Sequence, residues 1–385
     1  MNTLLPEEIG IGGLTKDLKL QDILELRFIS KDTNKAISKE FGHYYAMLPE
    51  YMKKGKEFKK IEKHNILIFS TLQNLFPNSS LYDIMVYLQS KKFKNLKQKT
   101  DRYISQNGLR RAIEDYVKEN LLHISLFDVS NIKDMERVFS RSKFNESLSL
   151  WDTSSVENMK EMFMSSKFNH KSINNWDTSS VTNMEGMFNS SKFNKPINSW
   201  DTSKVTNMRE MFADSEFSQD LNDWNTSSVE DMEDMFIRSE FNGSVGRWDT
   251  SSVESMSGMF AMSVFEGDVG SWDTSNVTDM NSMFMQCPFD GYLDNWDVSN
   301  VEDMNSMFMD SPFDGHGISK WDVSNVKDMR QMFYNTLDSY EPNLKEDLNN
   351  WKVNENTNVY NMFKGQEIER PEWYKKMTSE DDKDN

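Results

Sequence analysis

Tryptophan recurs at 151, 176, 200, 224, 248, 272, 296, 321 and 351, and the stretch that follows it recurs too. Trp176 to Phe188, WDTSSVTNMEGMF, is one copy; FDVSNIKDMERVF, from Phe127, extends the series backwards. Self-similarity at a spacing near two dozen residues is the mark of a stacked-repeat architecture. A unit this short cannot bury its own apolar face, so it must lean on its neighbours. The chain is therefore expected to be a solenoid of about ten coils over 127–365, with the remaining segments as adaptors, caps or tails.

Within a unit, Val181, Met184, Met187 and Phe188 stand at i, i+3, i+6 and i+7, which predicts one face of a helix of about two turns. Ile197-Asn198-Ser199-Trp200 reads as a strand of a few residues. Stacked coils would align such strands into a parallel sheet, at about 4.8 Å per coil. The expected class is an α+β repeat solenoid with short parallel strands and short helices in each coil. It is preceded by a small all-α N-terminal domain. Trp176, Val181, Met184, Met187 and Phe188 are the expected repeat core. The 27 Met and 25 Phe of the chain mostly serve these positions.

Two ladders invite a ligand reading. Asp128, Asp152, Asp177, Asp201, Asp249, Asp273, Asp297 and Asp322 recur, with Asn225 in the gap. Stacked carboxylates can hold calcium. The units lack the closely spaced Gly-Asp pairs of calcium-binding coils, and Asn225 keeps the hydrogen-bonding shape without the charge. Capping of backbone N–H groups is the favoured reading. The Met ladder shares its face with Phe and reads as core rather than copper site. His43, His64 and His123 have no ligand spacing. No metal or cofactor is expected. The sequence has no G-x-S-x-G, H-E-x-x-H or P-loop and no Cys/His constellation, so a non-enzymatic role is expected.

Positions that vary inside the frame are candidates for target contact. They include Arg209, Glu210, Glu233, Asp234, Asn281, Asn305 and Arg330. The residue after each Phe varies as well. Met262, Met285 and Met309 form either an exposed apolar stripe or an inward-tucked one.

Charge is uneven. Residues 1–120 carry a net +6 and the remainder −24, within a total of −18. The total argues against nucleic-acid binding. The break supports a domain boundary near 120. The N-terminus has no basic segment followed by an apolar run, and no apolar stretch is long enough to span a bilayer. A cytoplasmic location is expected, in the host cytoplasm if the chain is viral. Cys287 is the only cysteine, so it has no partner for an internal disulfide and reads as a small packed residue.

The N-terminal stretches read as helical. Leu20, Ile23, Leu24, Leu26 and Ile29 fall at helical spacing. LYDIMVYLQSKKF reads as a helix ending in Lys91 and Lys92, followed by a Lys-rich linker. A further helix carries Leu109, Ala112, Ile113 and Val117 on one stripe, and residues 105–126 are placed to cover the first coil. At the far end, PEWYKKM is expected to pack over the last coil through Trp373 and Tyr374, before an acidic tail. The resulting divisions are 1–42, 43–126, 127–365 and 366–385.

Leu5-Pro6-Glu7-Glu8-Ile9 and Leu20-Gln21-Asp22-Ile23-Leu24-Glu25-Leu26-Arg27-Phe28-Ile29-Ser30-Lys31 resemble an F-box, with Gly10, Gly12 and Gly13 departing from the family's helix formers. The resemblance implies that Leu5, Pro6, Ile9, Leu20, Ile23, Leu24 and Leu26 dock the small adaptor subunit of a cullin-RING ubiquitin ligase. The repeat, over 127–363, resembles the BspA-like leucine-rich repeat family. That resemblance implies a solenoid that binds protein partners; in bacteria such repeats usually belong to surface proteins that engage host molecules. Together the two imply a substrate-recognition subunit acting in a eukaryotic cell, encoded by the host, by a giant virus or by an intracellular microbe. The alternative is a recognition scaffold with no ubiquitin link. Self-association through an imperfectly capped end is a third expectation.

Overall fold

The structure is a computed structural model, and it describes residues 91–336 and 344–378. The F-box-like residues Leu5, Pro6, Ile9, Leu20, Ile23, Leu24 and Leu26 lie outside the described residues. The chain divides into two compact units, Met1–Val129 with Ser147–Trp151, and Ser130–Glu146 with Asp152–Asn385.

In the first unit, α1 (Lys91–Asn107) and α2 (Leu109–Asp115) meet at Gly108. Gly108 takes a φ of +78°, a left-handed turn that a side chain would resist, and its N–H still reaches the Ile104 carbonyl at 2.9 Å. The Lys-rich stretch expected to be a linker is helical, because Phe93, Thr100 and Ile104 give it a buried stripe. Thr100 has two roles. Its hydroxyl donates to the Leu96 carbonyl (2.9 Å) and accepts the Leu122 N–H (2.8 Å). Leu109, Ala112 and Ile113 are buried as expected, but Val117 is 74% exposed, since α2 ends two residues before it. Trp151 donates its indole N–H to the Ile124 carbonyl at 3.0 Å.

The second unit is a stack of coils in register. One residue per coil forms a parallel bridge with its counterpart, through Asp134, Asn158, Asn183, Asn207, Asp231, Ser255, Asp279, Asp303, Asp328 and Asn358. The ten bridging residues mark ten coils. The bridge falls just before the first Met of each repeat, or before Val359 in the last; the Ile197–Trp200 segment, expected as the strand, is instead a turn in which the Trp200 N–H reaches the Ile197 carbonyl (3.2 Å).

The expected two-turn helix is also absent from the coils among the described residues. From Asn183 to Ser191, alternate peptide groups point along the stack. The N–H groups of Met184, Gly186, Phe188 and Ser190 donate to the carbonyls of Asn207, Arg209, Met211 and Ala213 in the next coil, at 2.8–3.0 Å. The intervening N–H groups of Met187, Asn189 and Ser191 close local turns onto Met184, Gly186 and Phe188. A helix would spend all of these groups within the coil and leave nothing to join it to its neighbour. The successive turns put Val181, Met184, Met187 and Phe188 on the interior side, all fully buried, so they mimic the helical spacing. The left-handed φ of 50–62° at Glu161, Gly186, Glu210, Asp234 and Gly258 belongs to this turn geometry.

Side chains then stack like upon like. Phe163, Phe188, Phe212, Phe236, Phe260, Phe284 and Phe308 form a column with ring centroids 5.5–5.8 Å apart. Phe168, Phe193, Phe217, Phe241 and Phe265 form a second column at 6.2–6.3 Å. Trp200, Trp224, Trp248 and Trp272 form a third at 6.1–6.5 Å. Each tryptophan of that column donates its indole N–H to a carbonyl of the preceding coil, as Trp224 does to Ile197 (3.1 Å) and Trp248 to Leu221 (2.9 Å). The large apolar area is therefore buried without orphaning the indole donor.

At the C-terminal end, α3 (Glu372–Met377) continues the same columns. Trp373 stacks on Trp351 at 6.3 Å and donates to the Leu348 carbonyl at 2.8 Å. Tyr374 meets Phe363 edge-on at 5.0 Å. No helix among the described residues is long and apolar enough to cross a membrane.

Candidate functional site

The aspartate ladder closes turns. Asp177 Oδ1 accepts both the Ser179 N–H (3.1 Å) and the Ser179 hydroxyl (2.6 Å). Asp201, Asp249 and Asp273 repeat this bond pair. Asn225 makes the same two bonds to Ser227. The Ser203 and Ser275 hydroxyls hold the Asp201 and Asp273 carboxyls below the usual carboxylate range. A second ladder, not foreseen from the sequence, lies at the bridge. There Asn183 Oδ1 accepts the Glu185 N–H (2.8 Å) and Asp303 Oδ1 the Asn305 N–H (2.8 Å). Among the described residues, no group of His, Cys, Asp and Glu is arranged to hold a metal ion.

The proposed contact residues sit on the partly exposed side of the turns. Arg209 reaches Glu233 in the next coil as well as Glu210 beside it. Glu210 also accepts from the Asn189 side chain (3.0 Å). Burial holds the Glu233 and Asp234 carboxyls above their ordinary range. Arg330 pairs with Asp328, at 2.8 Å. The Asn305 side chain accepts the Ser306 hydroxyl (2.9 Å), while the Asn281 carbonyl accepts from Ser257 (3.3 Å). Arg209 thus joins two coils through Glu233, whereas Arg330 and the Asn305 side chain bond within their own turns. Met262 is 41% exposed, whereas Met285 and Met309 are half-buried, so the three do not share one environment.

Further exposed positions lie on the loops between each Phe and the next Trp. In these loops buried and exposed residues alternate: Ser191, Phe193 and Ile197 face in, while Lys192, Pro196 and Asn198 face out. An asparagine ladder holds the loops in register. Asn169 Oδ1 accepts the Asn194 N–H (3.0 Å), Asn194 Oδ1 that of Ser218 (3.2 Å), and Asn242 Oδ1 that of Glu266 (3.0 Å). The loops therefore form one continuous face.

That face changes sign along the stack. Toward the N-terminal end it carries Arg141, Lys143, Lys167, Lys171, Lys192 and Lys195. In loops 262–271 and 286–295 it carries Glu266, Asp268, Asp290 and Asp294 and no basic residue. These four carboxylates line an open groove of about 640 Å³, with Tyr292 at its side. Gly267 lets the backbone pass close over the Phe265 ring, where a Cβ would sit 2.7 Å from ring carbons. Tyr292 is 63% exposed and stacks on His316 at 4.6 Å. None of these loop residues was singled out from the sequence. The signal was available by comparing the charged residues column by column across the repeats.

Cys287 stands in a column where the neighbouring coils have Ser263 and Ser311. It is fully buried, its thiol donates to the Phe265 carbonyl (3.2 Å), and burial pushes its pKa up to about 11.

No curated protein and no solved structure matches the chain. A family model described as "Mycoplasma protein of unknown function, DUF285" matches residues 107–220, 164–264, 213–310 and 261–373. The overlapping matches tile the coils, consistent with a BspA-like repeat protein, and the chain belongs to this DUF285 repeat family.

Proposed function

We propose that the chain is a non-enzymatic protein-interaction module whose loop face is the binding surface. The observation that carries this reading is the division of labour within each coil. The column through Met184, Met208 and Met232 holds Met in every coil up to Met329 and is fully buried, while one loop position ranges from Lys167 to Glu240 to Pro288. A stack needs constant interiors to stay in register; it does not need its loops to differ, and differing loops are what recognition uses. The acidic groove beside Tyr292 suits a partner that presents arginine or lysine, since an exposed phenol ring adds a cation–π contact to the ion pairs.

In its finer form, the reading places the F-box-like segment on the adaptor subunit of a cullin-RING ubiquitin ligase, with the solenoid holding the protein to be modified. The support is the match of Leu5–Ile9 and Leu20–Lys31 to that motif. A recognition scaffold with no ubiquitin link is the other form of the same module. Purified adaptor separates the two. Capture by the full chain, lost in Leu24→Asp/Leu26→Asp, supports the ligase form, and no capture by wild type removes it. For the module itself, partners retained by bead-bound full chain are compared with those of an Asp268→Lys/Asp290→Lys/Asp294→Lys variant. Loss of specific partners supports the loop face, and identical bound sets contradict it.

A further inference from the structure

The sign change along the loop face has a symmetry consequence. Loops 165–175 and 190–199 carry Lys167, Lys171, Lys192 and Lys195 and no carboxylate. Loops 262–271 and 286–295 carry Glu266, Asp268, Asp290 and Asp294 and no base. Between them lie loops 214–223, with Asp214, Glu216, Asp220 and Asp223, and 238–247, with Arg238, Glu240 and Arg247, where several of these charges are already paired within the chain. Arg238 grips Asp214 through two bonds of 2.7 Å, and Arg247 lies 4.0 Å from Asp223. Lys192 is the one lysine of the basic loops with an ion pair, to Glu216; Lys167, Lys171 and Lys195 make none among the described residues. The basic and acidic loops are thus equally far from the boundary between the two central loops.

A face of this kind is complementary to itself under a two-fold rotation. Turn one copy end over end about an axis at the centre, and loop 190–199 comes opposite the second copy's loop 262–271. Loop 165–175 comes opposite its loop 286–295. The same contacts then form twice, which is the requirement for a closed, isologous dimer. We propose that a second copy of this chain docks antiparallel on the loop face, basic loops on acidic loops, with the two-fold axis between loops 214–223 and 238–247. This reading shares the face assigned to partner binding above and names one occupant of it. The net charge of −18 sets up a long-range repulsion between copies. At about 0.15 M salt the screening length is about 8 Å, which damps that repulsion while leaving facing loops in contact range.

The test uses three full-length chains in sedimentation velocity at about 0.15 M salt. They are wild type, Lys167→Glu/Lys171→Glu/Lys195→Glu, and Asp268→Lys/Asp290→Lys/Asp294→Lys. Wild type is expected to show a concentration-dependent monomer–dimer equilibrium. Each variant alone places like charges opposite one another and should weaken dimerisation at least about tenfold. Mixing the two variants makes both contacts complementary again, so a mixed dimer should reappear. That recovery also shows that both variants are folded. A wild type that stays monomeric at every loading concentration overturns the proposal and leaves the adaptor and partner-capture results standing. So does a dimer unaffected by the variants, or a mixture that fails to recover.

Discussion

The coils around residues 165–199 and those around 262–295 have interchangeable interiors and opposite exteriors. Phe188 and Phe284 both sit in a column of rings spaced 5.6–5.8 Å apart, and Met184 and Met280 are both fully buried. Yet Lys192 and Lys195 occupy the loop of one, where the other has Asp290 and Asp294. The hydrogen bonds that join coils come mainly from the backbone, with loop asparagines such as Asn169 and Asn194 adding to them, so register does not depend on the sign of the charge the loops carry. The interior and the face can therefore vary independently.

The comparison breaks most readily at the interior. Phe212→Ala removes a ring held by two neighbours in its column and should cost about 3–5 kcal/mol. Phe284→Ala should cost the same, and denaturant midpoints of the two variants check this. A large difference would show that the two halves are not equivalent inside.

Next come the turns. Asp201→Ala loses an amide and a hydroxyl donor bond and should cost about 1 kcal/mol, while Asp201→Asn should be near neutral, as Asn225 indicates. The folded carboxyl is held below its ordinary value, so its contribution is present above about pH 4 and is lost as pH falls through the folded pKa. Thermal melts of wild type and Asp201→Ala should converge in acid.

Asp303 behaves in the opposite sense. Burial, with Asp279 and Asp328 on adjacent bridges, raises its pKa despite the Asn305 amide. Its charge is a liability that appears as pH rises through the folded value and is absent below the unfolded one. Asp303→Asn keeps the amide bond and should stabilise by about 0.5 kcal/mol at neutral pH, after allowance for solvent screening. The gain should vanish below about pH 4. The smallest effect concerns Cys287. Native protein should resist thiol reagents, and Cys287→Ser should change stability by under about 0.5 kcal/mol, since the neighbouring coils hold serine there.

The register of the stack was legible from the tryptophan spacing alone, because a buried indole at a fixed interval leaves few other arrangements. The secondary structure was not. Val181, Met184, Met187 and Phe188 satisfy helical spacing and turn spacing equally, and the spacing does not show whether a peptide bonds within its coil or along the stack. The segment Ile197–Trp200, expected as the strand, forms a turn, whereas the bridge forms at Asn183 and Asn207, whose side chains brace the following turn. The charge reversal of the loop face is written in the sequence but hidden by segment totals. Lys192 and Pro288 must first be recognised as the same position.

Register is the claim on which the rest stands, and a disulfide measures it directly. In a Cys287→Ser background, Thr182→Cys and Thr206→Cys place thiols on adjacent coils whose backbones are hydrogen-bonded at 2.9 Å. Parallel neighbours about 4.8 Å apart lie inside the range a disulfide spans, whereas two coils, about 9.6 Å, do not. Mild oxidation should therefore close the Thr182→Cys/Thr206→Cys pair rapidly in native protein and leave Thr182→Cys/Glu230→Cys open. Equal rates for the two pairs, or closure of the second alone, would contradict the stacked-coil account.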